Sequence, residues 1–195
     1  MKYPVLELFS SIQGEGYYQG TLASFIRLGG CNLRCAWCDT AHSQTAAGTR
    51  EMDIADILAQ LPQDVHRVII TGGEPTLHDL GPLTAALHNR GHEVALETNG
   101  TQEVPAEWGI DWIAVSPKPD AAYDVRCHAD ELKYVVDEQL QAEHIQDSLV
   151  PAGRVYLQVE GGKPASALRA LELVRANPQK LWRVGVQLHR VLQVP

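Results

Sequence analysis

Short apolar runs alternate along the chain with segments of helical spacing. The run ASFIRLGG (23–30) reads as a strand that ends in a glycine pair. MDIADILAQL (52–61) puts Ile54, Ile57, Leu58 and Leu61 on one face of a helix, with Asp53 as its cap. VHRVIITGGEP (65–75) is a buried strand broken by Gly72, Gly73 and Pro75, and LGPLTAALHNRG (80–91) a helix stopped by Gly91. Further strands follow in HEVALETNG (92–100), DWIAVSPKP (111–119), ELKYVVD (131–137), RVYLQVEGG (154–162) and LWRVGVQLH (181–189). Helical patterns fill EQLQAEHIQDSL (138–149) and PASALRALELVRA (164–176).

Strand–helix alternation with short joints predicts an α/β fold built on a mainly parallel sheet, a barrel or partial barrel. A complete eight-stranded barrel takes about 250 residues, so a chain of 195 predicts an incomplete (β/α) barrel in one domain (1–195), with crossover helices trimmed or lost. Between the fourth and fifth of these strands, PDAAYDVRCHADE (119–131) carries no clear pattern. The polar or glycine-rich groups CNLRCAWC, TGGEP, ETNG, SPKP and QVEGG each follow a strand. In parallel sheets and barrels the C-terminal strand ends carry the active site, so these groups should converge on one pocket.

Composition narrows the class. A formal charge of −8 and the absence of a basic block argue against a nucleic-acid partner. No apolar window is long enough to span a membrane. The N-terminus MKYPVLELFS has neither an uninterrupted apolar core nor a small-residue cleavage site, so export is not expected. A cytoplasmic, reducing setting follows, where clustered thiols bind metal more often than they pair as disulfides.

Three of the four cysteines, Cys31, Cys35 and Cys38, fall within eight positions. They could be small buried hydrophobes. They could hold structural zinc, with His42 as fourth ligand. Or three thiolates could hold an iron–sulfur cubane, leaving one iron open for a substrate or cofactor. The remaining Cys127, beside His128, suggests a structural role. No Gly-x-Ser-x-Gly or GKS/T segment points to a hydrolase or NTPase, and no acid–base pair is evident.

The spacing C-x3-C-x2-C, with Trp37 before the last cysteine and TGGEP on a following strand, resembles the radical S-adenosylmethionine superfamily. SIQGEGYYQG, FIRLGGCNLRCAWCDT, TGGEP, ETNG, VSPK and the short tail, in that order, resemble the 7-carboxy-7-deazaguanine synthases. That resemblance implies a radical lyase converting 6-carboxy-5,6,7,8-tetrahydropterin to 7-carboxy-7-deazaguanine, with loss of ammonia, for queuosine synthesis. It implies a [4Fe-4S] cluster on Cys31, Cys35 and Cys38, and magnesium on Thr40. S-adenosylmethionine would border Ala36, Trp37, Asp39, Gly73, Glu74, Ser116, Pro117, Lys118 and the strand end Gln158, Glu160 and Gly161. The pterin would border Ile12, Gln13, Gly14, Glu15, Arg27, Thr71, His189 and the carboxylate of Pro195. An external flavodoxin-like one-electron donor and a homodimer are implied in the same way.

Two of these positions also speak for themselves. Arg27 interrupts an apolar run, where a charge is costly unless it meets a partner, and a guanidinium suits a carboxylate. Thr40 is open to a second reading as a helix cap. Rival readings are a glycyl-radical-enzyme activating protein, which shares the cysteine spacing but lacks QGEG and the terminal proline, and a zinc-stapled module without catalysis.

Overall fold

The computed structural model describes residues 1–195. Nine strands form one sheet in the order β3-β1-β2-β4-β5-β6-β7-β8-β9. They are β1 (Lys2–Ile12), β2 (Leu22–Leu28), β3 (Arg50–Asp53), β4 (Arg67–Gly72), β5 (Glu93–Thr98), β6 (Trp112–Val115), β7 (Glu131–Val136), β8 (Val155–Val159) and β9 (Arg183–Gly185). From β2 to β9 every pairing is parallel, while β3-β1-β2 is an antiparallel extension.

Four α-helices accompany the sheet: α1 (Ile54–Gln60), α2 (Gly81–His88), α3 (Pro164–Ala176) and α4 (Leu188–Leu192). Asp53 caps α1 through its carboxylate and the Asp56 amide. The crossovers β5–β6, β6–β7 and β7–β8 contain 3₁₀ turns in place of α-helices, the trimming that the chain length predicts.

Three features depart from the sequence expectation. The N-terminal residues form the longest strand, β1, which pairs antiparallel to β2. A register shift between Val5 and Glu7 breaks its period-two pattern, so Tyr3 and Val5 enter the main core before it and Leu8 packs there after it. Residues 138–149 form two 3₁₀ turns and not a helix. Asp137 takes the amides of Gln139 and Leu140, and the Tyr134 hydroxyl takes that of Gln146, so side chains consume the donors a helix would use. The tail past β9 folds into the short helix α4, which carries His189.

Strand parity divides the protein into two interiors. Ile26, Val68, Ile70, Val94, Leu96, Ile113, Val115, Leu132, Tyr134 and Leu157 face the helices and form the main core. On the concave face a smaller apolar cluster of Ala23, Phe25, Ile69, Ala95, Trp112 and Ala114 fills one end. The same face then carries Arg27, Thr71, Glu97, Lys133 and Gln158, with the small side chain of Ala114 between them. Register aligns these positions laterally: Arg27 opposite Thr71, Glu97 opposite Ala114, and Val135 opposite Gln158.

The barrel stays open between β9 and the β1–β2 hairpin. The C-terminal segment crosses that gap, with the Leu188 amide on the Gly14 carbonyl (2.9 Å) and Gln19 Nε2 shared between the carbonyls of Gly14 and Val186. No helix is long and apolar enough to cross a membrane.

Candidate active site

The concave face encloses a cavity of about 410 Å³, in the range of small-molecule sites. One wall is the loop after β2. Cys31, Cys35 and Cys38 all line it as free thiols. Hydrogen bonds brace the loop. Its ends are joined by the Gly30 amide on the Ser43 carbonyl and the Cys31 amide on the Gln44 carbonyl. Asn32 is bonded to Asn99 and Thr101, and the Trp37 indole to Asp137. Burial raises the Cys31 thiol, and raises Cys35 to about 12 against the opposing pull of Lys118. Loading of this wall with metal must therefore displace protons.

The second wall comes from the end of β4. Gly73 packs against the cysteine loop, with its amide on Leu28 and the Glu74 amide on Gly30. A Cβ at Gly73 would run into the carbonyl oxygens of Gly30 and Ser43, both backbone atoms. Gly73→Ala should therefore push the two loops apart and cost about 1–3 kcal/mol, measured as a lower thermal midpoint. An unchanged midpoint would contradict this packing.

The third region is an ion-pair network deep in the cavity. Lys133, with a side chain only 5% exposed, lies 2.8 Å from Glu97 and 3.1 Å from Glu15. Glu97 also accepts from Gln13 and Thr71. Burial pushes the Glu97 carboxyl up, but the ammonium of Lys133 and these hydrogen bonds overcome it and hold it at about 2. Burial alone would lower Lys133, yet Glu97, Glu15 and Glu131 together raise it. Arg27 pairs with Glu7 through Nε (2.7 Å), which leaves the Nη groups of its fork for a second acceptor.

The tail forms the fourth wall. Gln187 Nε2 bridges Glu15 (2.9 Å) and Asp39 (2.7 Å), and Arg190 lies 3.7 Å from Asp39. The His189 ring fills the space that a side chain at position 14 would need. The Ser11 hydroxyl donates to a main-chain oxygen of Pro195 (2.6 Å).

Of the residues singled out in the sequence, Ile12, Gln13, Gly14, Glu15, Arg27, Trp37, Asp39, Thr40, Thr71, Gly73, Ser116, Lys118, Gln158, Glu160, Gly161, His189 and Pro195 line this cavity beside the three cysteines. Three do not. Ala36 is exposed and Pro117 is turned into the protein. Glu74 is fully buried, and its carboxylate is spent on Thr76, Thr98 and the Asn99 amide. It locks the ends of β4 and β5 together, and it reaches the cavity only through its charge, which helps to raise the Cys31 thiol. Thr40 stands at the cap position of a 3₁₀ turn but makes no capping bond. Its hydroxyl is 3.8 Å from Cys38 Sγ. The cavity is more polar than the strand-end motifs suggest: Glu97, inside the ETNG group but not singled out there, joins it, and so do Lys133, Gln187 and Arg190, which no sequence motif marked.

The lining fits a group larger than an ion and a polar organic ligand beside it. The three thiols, soft ligands suited to an iron–sulfur cluster, share the cavity with Gln13, Ser116, Gln158 and the other polar side chains of its lining. Across from the thiols Gln158, 4% exposed, has neither its amide oxygen nor its nitrogen bonded. Buried amides are rarely left without partners, and this one lies on the cavity wall.

Comparison with known proteins agrees with this chemistry. The profile of the Radical SAM superfamily matches residues 25–119. A 7-carboxy-7-deazaguanine synthase of Bacteroides thetaiotaomicron is 37% identical and one of Escherichia coli K12 is 33% identical, each covering the whole of both chains. The crystal structure of QueE from Escherichia coli superposes with a TM-score of 0.76 at 31% identity, over 97% of this chain and 95% of that one.

Proposed function

The chain belongs to the 7-carboxy-7-deazaguanine synthase family of the radical SAM superfamily, and on that premise we propose that it converts 6-carboxy-5,6,7,8-tetrahydropterin to 7-carboxy-7-deazaguanine and ammonia, for queuosine synthesis. The observation that carries this reading is one cavity whose walls hold three free thiols at one side and a carboxylate-seeking guanidinium, Arg27, at another.

Cys31, Cys35 and Cys38 would hold a [4Fe-4S] cluster. When bound, the cluster and S-adenosylmethionine supply one-electron, hydrogen-abstracting chemistry. The protein's own residues bind, orient and enclose. The Gly73 backbone, Ser116, Lys118 and the unpaired Gln158 amide face the nucleoside cofactor. Arg27 takes the substrate carboxylate through its free Nη groups. Glu97 accepts from the amino edge of the pterin, and Lys133 keeps that carboxylate ionised. Thr40 would offer a hard hydroxyl oxygen to Mg²⁺ beside the substrate. Residues 186–195 close the open side of the barrel and keep bulk water out.

The cytoplasm is the proposed compartment, in keeping with four unpaired cysteines. A flavodoxin-like donor would supply the electron. A homodimer is the proposed assembly, supported by exposed Val184, Val186, Val191 and Leu192 around the unpaired edge of β9.

Anaerobic incubation of the reconstituted protein with reductant, S-adenosylmethionine and the carboxypterin tests the assignment. Appearance of 7-carboxy-7-deazaguanine by mass spectrometry is expected, and cofactor cleavage without that product would refute the substrate. A second expectation concerns the tail. Pro195 lines the cavity, so a tag added after it must leave through the substrate's wall. Such a tag should raise KM at least about tenfold, one hydrogen-bonded charge contact's worth, while an N-terminal tag leaves it unchanged. Equal KM values would remove Pro195 from the site.

A further inference from the structure

We infer that Asp137 is a positioning residue for the cofactor wall, acting through the Trp37 indole; this rests on the reading that the cavity takes S-adenosylmethionine. Trp37 sits between Cys35 and Cys38 and presents its ring to the cavity. A mobile loop residue would be a poor platform for a flat base, and this one is held from two sides. Lys118 Nζ stands 5.2 Å from the ring centroid, itself tied to the Ser116 hydroxyl. On the other side the indole Nε1–H donates to Asp137 Oδ2 at 2.9 Å.

Asp137 follows β7, a hundred residues away in sequence, and does not line the cavity. Its second oxygen, Oδ1, accepts from the backbone amides of Gln139 and Leu140 at 2.9 and 3.0 Å. Two amides therefore fix the carboxylate, and its free oxygen is aimed at the indole. The result is a strut from the end of β7 to the middle of the cysteine loop. Charge-assisted bonds of this kind are stronger than neutral ones. The strut sets the orientation of the ring without touching the cofactor.

The same carboxylate organises a turn, so a test must separate the two roles. Asp137→Asn leaves one acceptor oxygen, for which the two turn amides outnumber the single indole N–H, so the amide nitrogen should face the indole and that bond should be lost. Trp37→Phe keeps an aromatic ring and removes the N–H. Equilibrium binding of S-adenosylmethionine is measured on the cluster-loaded full chain in all four combinations, with iron content and thermal midpoint as controls. With Trp37 present, Asp137→Asn should weaken binding about tenfold, the loss of one charge-assisted hydrogen bond. In the Trp37→Phe background the same change should alter binding by less than about twofold, the usual limit for independent sites. Iron content should stay at wild-type level throughout. Equal loss in both backgrounds would make Asp137 a turn residue only, and no loss with Trp37 would overturn the inference outright. Failure of the wild type to bind S-adenosylmethionine would instead overturn the cofactor assignment and this inference with it.

Discussion

Exchange of Cys38 for alanine should give a folded but colourless protein that retains no iron–sulfur cluster and has no detectable turnover. The loop keeps its shape without that sulfur: Asn32 remains bonded to Asn99 and Thr101, Trp37 to Asp137, and Gly30 and Cys31 to Ser43 and Gln44. The thermal midpoint of the metal-free protein should therefore change by no more than a few degrees, as for a surface substitution of about 0.5 kcal/mol. Cys127→Ala is the control. That thiol packs against the main core and not the cavity, so iron content and turnover should survive its loss. A zinc-stapled module would respond differently, since loss of a ligand to structural zinc removes folding energy. Unfolding of the wild type on chelation, matched by unfolding of the metal-loaded protein on Cys38→Ala, would favour that rival. Iron content and circular dichroism, measured together, decide between them.

Lys133→Met carries the largest expected effect on stability. It strands Glu97 and Glu15 in the cavity without their shared cation. Removing one partner of a fully buried pair costs about 3–5 kcal/mol. Cavity water reaches Glu15 and Glu97, whose side chains are 19% and 24% exposed, so a loss of about 2–3 kcal/mol is expected from urea unfolding at pH 7.

The pH dependence should also change sign. In the wild type Glu97 is held at about 2, below its ordinary 4.5. Its contribution is fully present above pH 4.5 and is lost as pH falls toward 2. Without Lys133, burial dominates and raises Glu97, so acidification from pH 7 toward 5 should stabilise the variant. A variant that loses stability over that interval would contradict the network as described. Glu97→Gln added to Lys133→Met should recover most of the loss, because the two positions are in contact and their effects cannot add.

Much of this site is legible residue by residue, and its gaps have physical causes. The cysteine spacing and the TGGEP turn are local signals, and strand-end convergence brings them to one cavity whatever the details of the loops. Arg27 stands out because a charge inside an apolar run demands a partner. The same argument applies to Lys133 within ELKYVVD and to Glu97 within ALETNG, and parity alone would have put both on Arg27's face. Glu74 misleads for the opposite reason: its neighbours in sequence are cavity residues, but two donors at the end of β5 and Thr76 in its own turn draw its carboxylate inward. Strand β1 is hidden by its register shift, and the helix expected at 138–149 is undone by Asp137 and Tyr134, whose captures of backbone amides are long-range or turn-specific. Gln187 and Arg190 carry no pattern at all. Their role exists only because the tail crosses the gap between the two edges of an open barrel.

The central claim is that the three-cysteine loop holds a cluster with one iron open to S-adenosylmethionine inside the cavity. Electron paramagnetic resonance of the reduced, anaerobically reconstituted protein tests it most directly. The cluster signal should shift when S-adenosylmethionine is added. Label in the amino or carboxylate group of its methionine should then give hyperfine coupling to the cluster. A signal indifferent to S-adenosylmethionine, or a colourless protein carrying stoichiometric zinc, would contradict the account.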